Sequence, residues 1–369
     1  MLLERQEEDG LLVEPKCYVP VIPTLLLNGC SGIGTGWSSF VPAHRPTLLV
    51  DYVDSLVRAG LSGGAQGRSG DFMDTEAELG GLRPWVLGFR GLVQGDAPNF
   101  NLQGVVQRTG KTTVEITELP AGRWTTDYKE HLFRMIERGF IKKFAEHHTT
   151  ENVRFIVTAR EKSIDKMTEM KGGLGRAFVL DRAMTLTNMH AFDSSGKIKK
   201  YESAGEMMLE HLGVRHDMYV RRRTLLMQRA AYDEAVSRNR ASFIAKLGSG
   251  ELDVLRSGPG VRRSKLEVAS AMRGAGLASH EELYQLAGSE DHTAGGAADK
   301  GAGKGFDYLL DMPFQSLTAE RAQDLHSRSE RARDVLEDIT RASPEDLWVR
   351  DLDALRPVLA KREKDRGAQ

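Results

Sequence analysis

The chain has 369 residues, 40% hydrophobic and 28% charged, which suits a folded globular protein of two or three domains rather than a disordered one. Its 51 basic and 52 acidic residues leave a formal net charge of −1, so charge alone gives no support to nucleic-acid binding; such binding would need basic residues gathered on one surface. Two cysteines, Cys17 and Cys30, exclude a disulfide framework, fit no common zinc spacing and point to a reducing compartment.

Met1 to Asp9 carry four acids and one arginine and look like neither a signal nor a transit peptide; a start of this kind points to a truncated chain. The longest apolar run, Val19 to Leu27, is interrupted by two prolines and falls short of the roughly 20 residues of a membrane helix, so no membrane partner is expected. Pro20 and Pro23 break any helix there. Leu25 to Leu27 reads as a short buried segment before a loop from Asn28 to Gly36. Leu48, Leu49, Tyr52, Val53, Leu56 and Val57 repeat at helical spacing between Pro46 and Ala59. Residues 60–80 read as a Gly-rich surface loop.

From Trp85 to Leu119 the pattern is one of short strands, with Val114 and Ile116 alternating against Thr113, Glu115 and Thr117. Thr126 or Asp127 is placed to cap a helix whose inner face would hold Leu132, Phe133, Ile136 and Phe140. Asn152 to Thr158 and Met184 to Phe192 are further strand candidates. Ser203 and Glu206 have capping-box spacing at the head of a helix running to about Leu247, with Leu212, Tyr219 and Leu226 seven apart. A second long helix is expected from Thr318, with Leu325, Ala332 and Ile339 seven apart, and a third from Ser343-Pro344. Residues 287–305 are rich in Gly and Ala. No internal repeat is evident.

The sharpest motif is Gly32-Ile33-Gly34-Thr35-Gly36-Trp37. Three glycines in five positions allow close approach of a backbone. By spacing alone this is either a phosphate-binding loop or a structural turn, and it lacks both the dinucleotide fingerprint and a Walker lysine. Set in order, however, the motifs of the chain resemble one family. Tyr18-Val19-Pro20-Val21-Ile22-Pro23, Asn28-Gly29 and Gly32 to Ser38 look like the signature that follows the winged-helix domain of eukaryotic DNA topoisomerase II. Further matches, in the same order, are Arg83-Pro84-Trp85 with Gly88-Phe89-Arg90-Gly91, Ile116 to Pro120 with Trp124-Thr125, Phe192-Asp193 with Gly196-Lys197-Ile198, Phe306 to Pro313, and Asp346-Leu347-Trp348. Bacterial-type relatives carry an Ala-Val-Gly-Met version of the glycine loop, so the eukaryotic branch fits better.

The resemblance implies an α+β, tower-like domain followed by a long antiparallel helical pair, a coiled coil, with a small helical domain inserted. The boundaries expected are 1–43 for the tail of the winged-helix region with the glycine loop, 44–202 for the tower, 203–247 for the first long helix, 248–315 for the inserted exit-gate domain and 316–369 for the return and C-terminal helices, Tyr308 to Pro313 beginning the return. It also implies that Ile33 is a wedge pushed between base steps, with Gly32 and Gly34 letting the backbone approach the groove. The stretch Val179 to Asn188 aligns with a DNA-contacting segment, in which Arg182, Thr185 and Asn188 are fit to bond phosphates; a buried strand is the other reading. Lys142, Lys143 and the group Lys197, Lys199, Lys200 are either phosphate contacts or solvated faces, and Arg221 to Arg223 read as surface. His147-His148 has no further ligands in sequence reach, and no metal site is expected.

The family's nucleophilic tyrosine follows an arginine upstream of the glycine loop. None of the eight tyrosines here follows an arginine, so no catalytic residue is expected in this chain, and Tyr18 reads as structural. The parent enzyme would use ATP and Mg²⁺, neither bound by these residues, would act on double-stranded DNA as a homodimer, and would work in the nucleus, with a mitochondrion or kinetoplast-like organelle as the alternative. A free-standing DNA-binding or dimerisation protein derived from such a core is the competing expectation.

Overall fold

The computed structural model describes residues 3–60, 82–254, 256–258, 261–286, 304–313 and 318–367; the stretches 60–80 and 287–305 lie almost wholly outside them. The chain forms two compact units, Met1–Tyr18 with Asp217–Leu347, and Val19–His216 with Trp348–Gln369. Among the described residues no helix is long and apolar enough to cross a membrane.

In chain order, β1 (Arg5–Glu8) and β2 (Leu11–Pro15) form a hairpin closed by Asp9 and Gly10, both at positive φ. Irregular backbone through the two prolines leads into α1 (Thr24–Asn28), whose Leu26 is buried, as expected of this segment. The loop expected at Asn28 to Gly36 is instead the first half of a second hairpin, β3 (Cys30–Gly34) with β4 (Trp37–Val41). A two-residue turn at Thr35-Gly36, with Gly36 at φ 78°, brings the strands together, and Trp37 to Val41 supply the β-prone partner that the glycine-rich strand lacks. Helix α2 (Pro46–Arg58) buries Leu49, Tyr52, Val53, Leu56 and Val57, the face its spacing predicts.

There follow β5 (Leu92–Asp96), β6 (Asn99–Gln103), β7 (Val105–Arg108), β8 (Thr113–Glu118), α3 (Thr125–Glu137), β9 (Lys143–Glu146), β10 (Phe155–Thr158), α4 (Glu161–Glu169), α5 (Gly173–Ala177), β11 (Asp181–Thr185), β12 (Met189–Phe192) and β13 (Ile198–Tyr201). One antiparallel sheet has the order β7-β8-β10-β9, another β11-β6-β5, and β12 pairs with β13. The main core of this unit lies where Val114, Ile116, Phe155 and Val157 of the four-stranded sheet meet Tyr128 and Leu132 of α3. The face of α3 matches the sequence expectation in part: Leu132 is buried and Ile136 packs against the core, but the two phenylalanines do not. Tyr128, Leu132 and Met135 are buried, while Phe133 and Phe140 stay about half exposed, and no side chain caps the helix at Trp124. The Tyr128 hydroxyl donates to the Phe178 carbonyl (3.0 Å), which lets a tyrosine occupy the core. The single strand expected at Met184 to Phe192 is two strands, because residues 186–188 carry the chain from one sheet to another.

The long helix α6 (Ala204–Gly248) starts where Ser203 accepts from Glu206 N–H (3.2 Å); the reciprocal bond goes to Glu202 N–H (2.9 Å), one residue before the position the motif names. It begins in the second unit and ends in the first. The first unit then adds β14 (Arg256–Gly258), β15 (Val261–Arg262), α7 (Lys265–Gly274), α8 (His280–Leu286) and α9 (Asp307–Leu310), packed on Phe243, Leu252, Met272, Phe306 and Leu309. Tyr308, Leu309 and Met312 therefore pack into this small core, with Leu309 fully buried, and Asp307–Leu310 is a short helix of its own rather than the first turn of a long one. The next long helix is α10 (Ala319–Arg341), capped by Thr318, and α11 (Pro344–Gly367) follows a Ser343–Asp346 capping box with bonds of 3.0 and 2.8 Å. The fold is thus a mixture of helices with small antiparallel sheets, with long helices in its later half.

Candidate nucleic-acid interface

Ile33 is 93% exposed, which rules out a core residue beneath a turn. It faces Ser38 across the hairpin, flanked by Gly32 and Gly34. A Cβ added at Gly32 would meet nothing within 4 Å, and one at Gly34 only the Trp37 carbonyl at 3.9 Å; neither has a positive φ. No contact among the described residues requires these two glycines. Gly29 is the opposite case. It holds φ 68° and ψ 171°, a region open essentially to glycine, and a Cβ there would lie 2.7 Å from Ala43 N and 2.8 Å from the Val41 carbonyl. The hairpin thus has a fixed foot and a shaft whose glycine strand bears one exposed apolar side chain, Ile33, with Trp37 about half exposed on the facing strand; burying Ile33 would be worth about 1.5–3 kcal/mol.

Strand β12 supports the hairpin. Phe40 N–H donates to the Asn188 carbonyl (2.9 Å), the Ser39 hydroxyl donates to the His190 carbonyl (2.6 Å) and accepts from His190 N–H (3.2 Å), and the Asn188 amide donates to the Ser38 hydroxyl (2.8 Å). Trp37 meets His190 edge-on at 5.4 Å. Asn188 therefore holds the residue opposite Ile33. Behind it, Glu210 of α6 accepts from Ser194 N–H (2.9 Å), Lys199 (3.2 Å) and the Tyr201 hydroxyl (3.0 Å). Bonds to Glu206 and Glu210 hold the Lys199 ammonium well above the usual lysine range, and this lysine ties β13 to α6.

At the foot of the hairpin lies an open groove of about 870 Å³, lined by residues 28–31 and 40–43, Trp85, residues 182–185, Asn188, Arg362 and Glu363. It brings Arg182, Thr185 and Asn188 together beside the base of the glycine strand. Arg182, on the edge strand β11 and exposed, donates to the Ala121 carbonyl (2.9 Å) and passes over Gly122, where a Cβ would sit 2.0 Å from its Nη1; a glycine at φ 79° gives the guanidinium its room. Lys142 and Lys143 are exposed at the start of β9, an edge of the four-stranded sheet, and are not among the residues lining the groove. Arg223 is a further departure from a plain surface role. Its guanidinium donates to the Ala342 (2.7 Å) and Thr340 (2.8 Å) carbonyls at the end of α10. Among the described residues no group of His, Cys, Asp and Glu is set to hold a metal ion; His148 Nδ1 accepts from Arg154 N–H (3.0 Å) and its ring packs on Phe155. Sequence reasoning missed Arg362 and Glu363, which carry no local motif and reach the groove only through the fold.

The family model for the A-subunit of DNA gyrase/topoisomerase IV matches residues 1–353. The chain is 32% identical to DNA topoisomerase 2 of Penicillium chrysogenum over 95% of its own length and 21% of that protein's. With DNA topoisomerase 2 of Arabidopsis thaliana it shares 29% identity, over 98% of this chain and 24% of the other. The crystal structure of the Plasmodium falciparum topoisomerase II DNA-binding, cleavage and re-ligation domain aligns with a TM-score of 0.76 and 25% identity, covering 99% of this chain and 47% of that one. The chain spans between a fifth and a quarter of the length of these curated relatives. The order of motifs, the fold and the matched span agree: the chain belongs to the DNA gyrase/topoisomerase IV A-subunit family, with eukaryotic DNA topoisomerases 2 among its relatives.

Proposed function

We propose that this chain is the part of a type II DNA topoisomerase that grips and bends the gate segment of duplex DNA, its first unit forming a coiled-coil arm and an exit gate through which two copies pair. In this reading the second unit is the tower with the glycine hairpin. Ile33 enters between base pairs, Gly32 and Gly34 leave space for the sugar–phosphate walls, and Arg182 with Thr185 holds phosphate oxygens at the hairpin's foot. The observation that carries the proposal is an isoleucine 93% exposed on a strand whose neighbouring glycines serve no described internal contact. Cleavage is not assigned to this chain, because no tyrosine in it follows an arginine. ATP and Mg²⁺ are assigned to other parts of the whole enzyme, and the site of action to the nucleus. Strand passage by the complete enzyme would need all of these together.

The test is the bend of an end-labelled duplex, read by fluorescence energy transfer. Wild type should bend the duplex, and Ile33→Ala should bind it nearly as well and leave it straighter. A variant that bends DNA as fully as wild type would remove the wedge role. Covalent protein–DNA adducts formed by the purified chain with Mg²⁺ would overturn its assignment as non-cleaving.

A further inference from the structure

The last turns of α11 belong to the groove. Glu363 is the one acid among the described residues that line it, and its carboxylate is fully engaged. Oε1 accepts from Thr47 N–H (2.8 Å), and Oε2 accepts from the Thr47 hydroxyl (3.2 Å) and from Arg45 Nε (3.0 Å). Helix α2 has no side-chain cap of its own at Arg45, so a carboxylate from the far end of the chain satisfies its first turn. Two turns earlier on α11, Arg356 pairs with Asp51 and Asp54 of α2, the second at 3.2 Å. These two anchors, on one face of α11, fix both the place and the rotation of its end. Arg362, beside the inner anchor, is exposed and lines the groove together with Arg182. With Glu363 paired with Arg45, the net charge of the lining is that of two guanidinium groups, contributed to one groove by distant parts of the sequence. A planar guanidinium suits phosphodiester oxygens.

We infer that Arg362 binds a phosphate of the duplex, and that Glu363 and Arg356 are positioning residues that hold the helix end where it can do so. The inference rests on the proposed reading of the hairpin. It makes the end of α11 part of the DNA track, contributing grip without sequence choice.

The experiment is a titration of a fluorescent duplex by the full chain across a salt series, with bend measured at saturation. Arg362→Gln should weaken binding severalfold, lower the slope of log affinity against log salt by about 1, and leave the saturated bend unchanged. Arg362→Lys should restore most of the slope, since charge is kept. Because Arg362 is exposed, thermal melting should be unaltered. Wild-type affinity and slope in Arg362→Gln, alongside a bend lost in Ile33→Ala, would overturn this inference and leave the function standing. If the wild-type chain bound no duplex at all, the proposed function would fall, and this inference with it.

Discussion

Two kinds of glycine meet in the hairpin, and they should respond oppositely to one added methyl group. Gly29 holds a backbone conformation that other residues rarely reach, with carbonyl and amide atoms inside van der Waals distance of a Cβ. Gly29→Ala should cost at least about 2 kcal/mol and lower the melting temperature. Gly32 has open space and an ordinary strand conformation, so Gly32→Ala should leave stability unchanged or raise it by about 0.5 kcal/mol. Its effect should appear only with DNA, as a weaker bend. Melting curves of both variants, followed by the energy-transfer assay on Gly32→Ala, separate a glycine kept for folding from one kept for contact. A Gly32→Ala chain that bends DNA normally would count against close approach along the shaft.

At the scale of elements, what was legible depended on whether the signal was local. Helix α2 showed its buried face as a run of apolar residues, and α10 and α11 announced their starts through Thr318 and Ser343. Strand β8 showed its alternation. The β3–β4 hairpin did not, because glycine has no side chain to alternate and the pairing is visible only when Trp37 to Val41 is set against it. The inner face of α3 is only half legible: Leu132 and Ile136 lie on it as their spacing predicts, but Phe133 and Phe140 do not, because aromatic and aliphatic residues occupy two overlapping stripes and the Tyr128 hydroxyl finds its partner 50 residues away. The same blindness to distant partners hid the role of Arg223. Its donation to the last carbonyls of α10 satisfies groups the helix cannot. Arg223→Ala should lower stability by about 1–2 kcal/mol, seen as a shifted urea midpoint, while Arg221→Ala, on the exposed side, should stay within about 0.5 kcal/mol. Equal shifts for the two would return Arg223 to the surface.

For the whole molecule, the near-zero net charge and the DNA-binding proposal are reconciled by placement: Arg182 and Arg362 share a groove in which Glu363 is already paired. Placement also sets the response to acid. His211 is largely buried on α6, its Nε2 without a hydrogen-bond partner among the described residues, and burial, helped by the charge of Arg215, pushes its pKa down to about 4. Burial lowers His44 as well, which is fully enclosed with Nδ1 3.2 Å from the Leu26 carbonyl. An unfolded histidine takes up its proton near 6.5. Below that pH the unfolded chain holds protons that the folded one refuses, so stability falls as pH drops from about 6.5 toward 4 and is undiminished above it. For His211 alone the loss should reach about 2 kcal/mol by pH 5, each pH unit in the window being worth about 1.4 kcal/mol. Urea midpoints at pH 7.5, 6 and 5 should decline for wild type and decline less for His211→Gln, which cannot charge. Identical declines would mean that other groups carry the acid sensitivity.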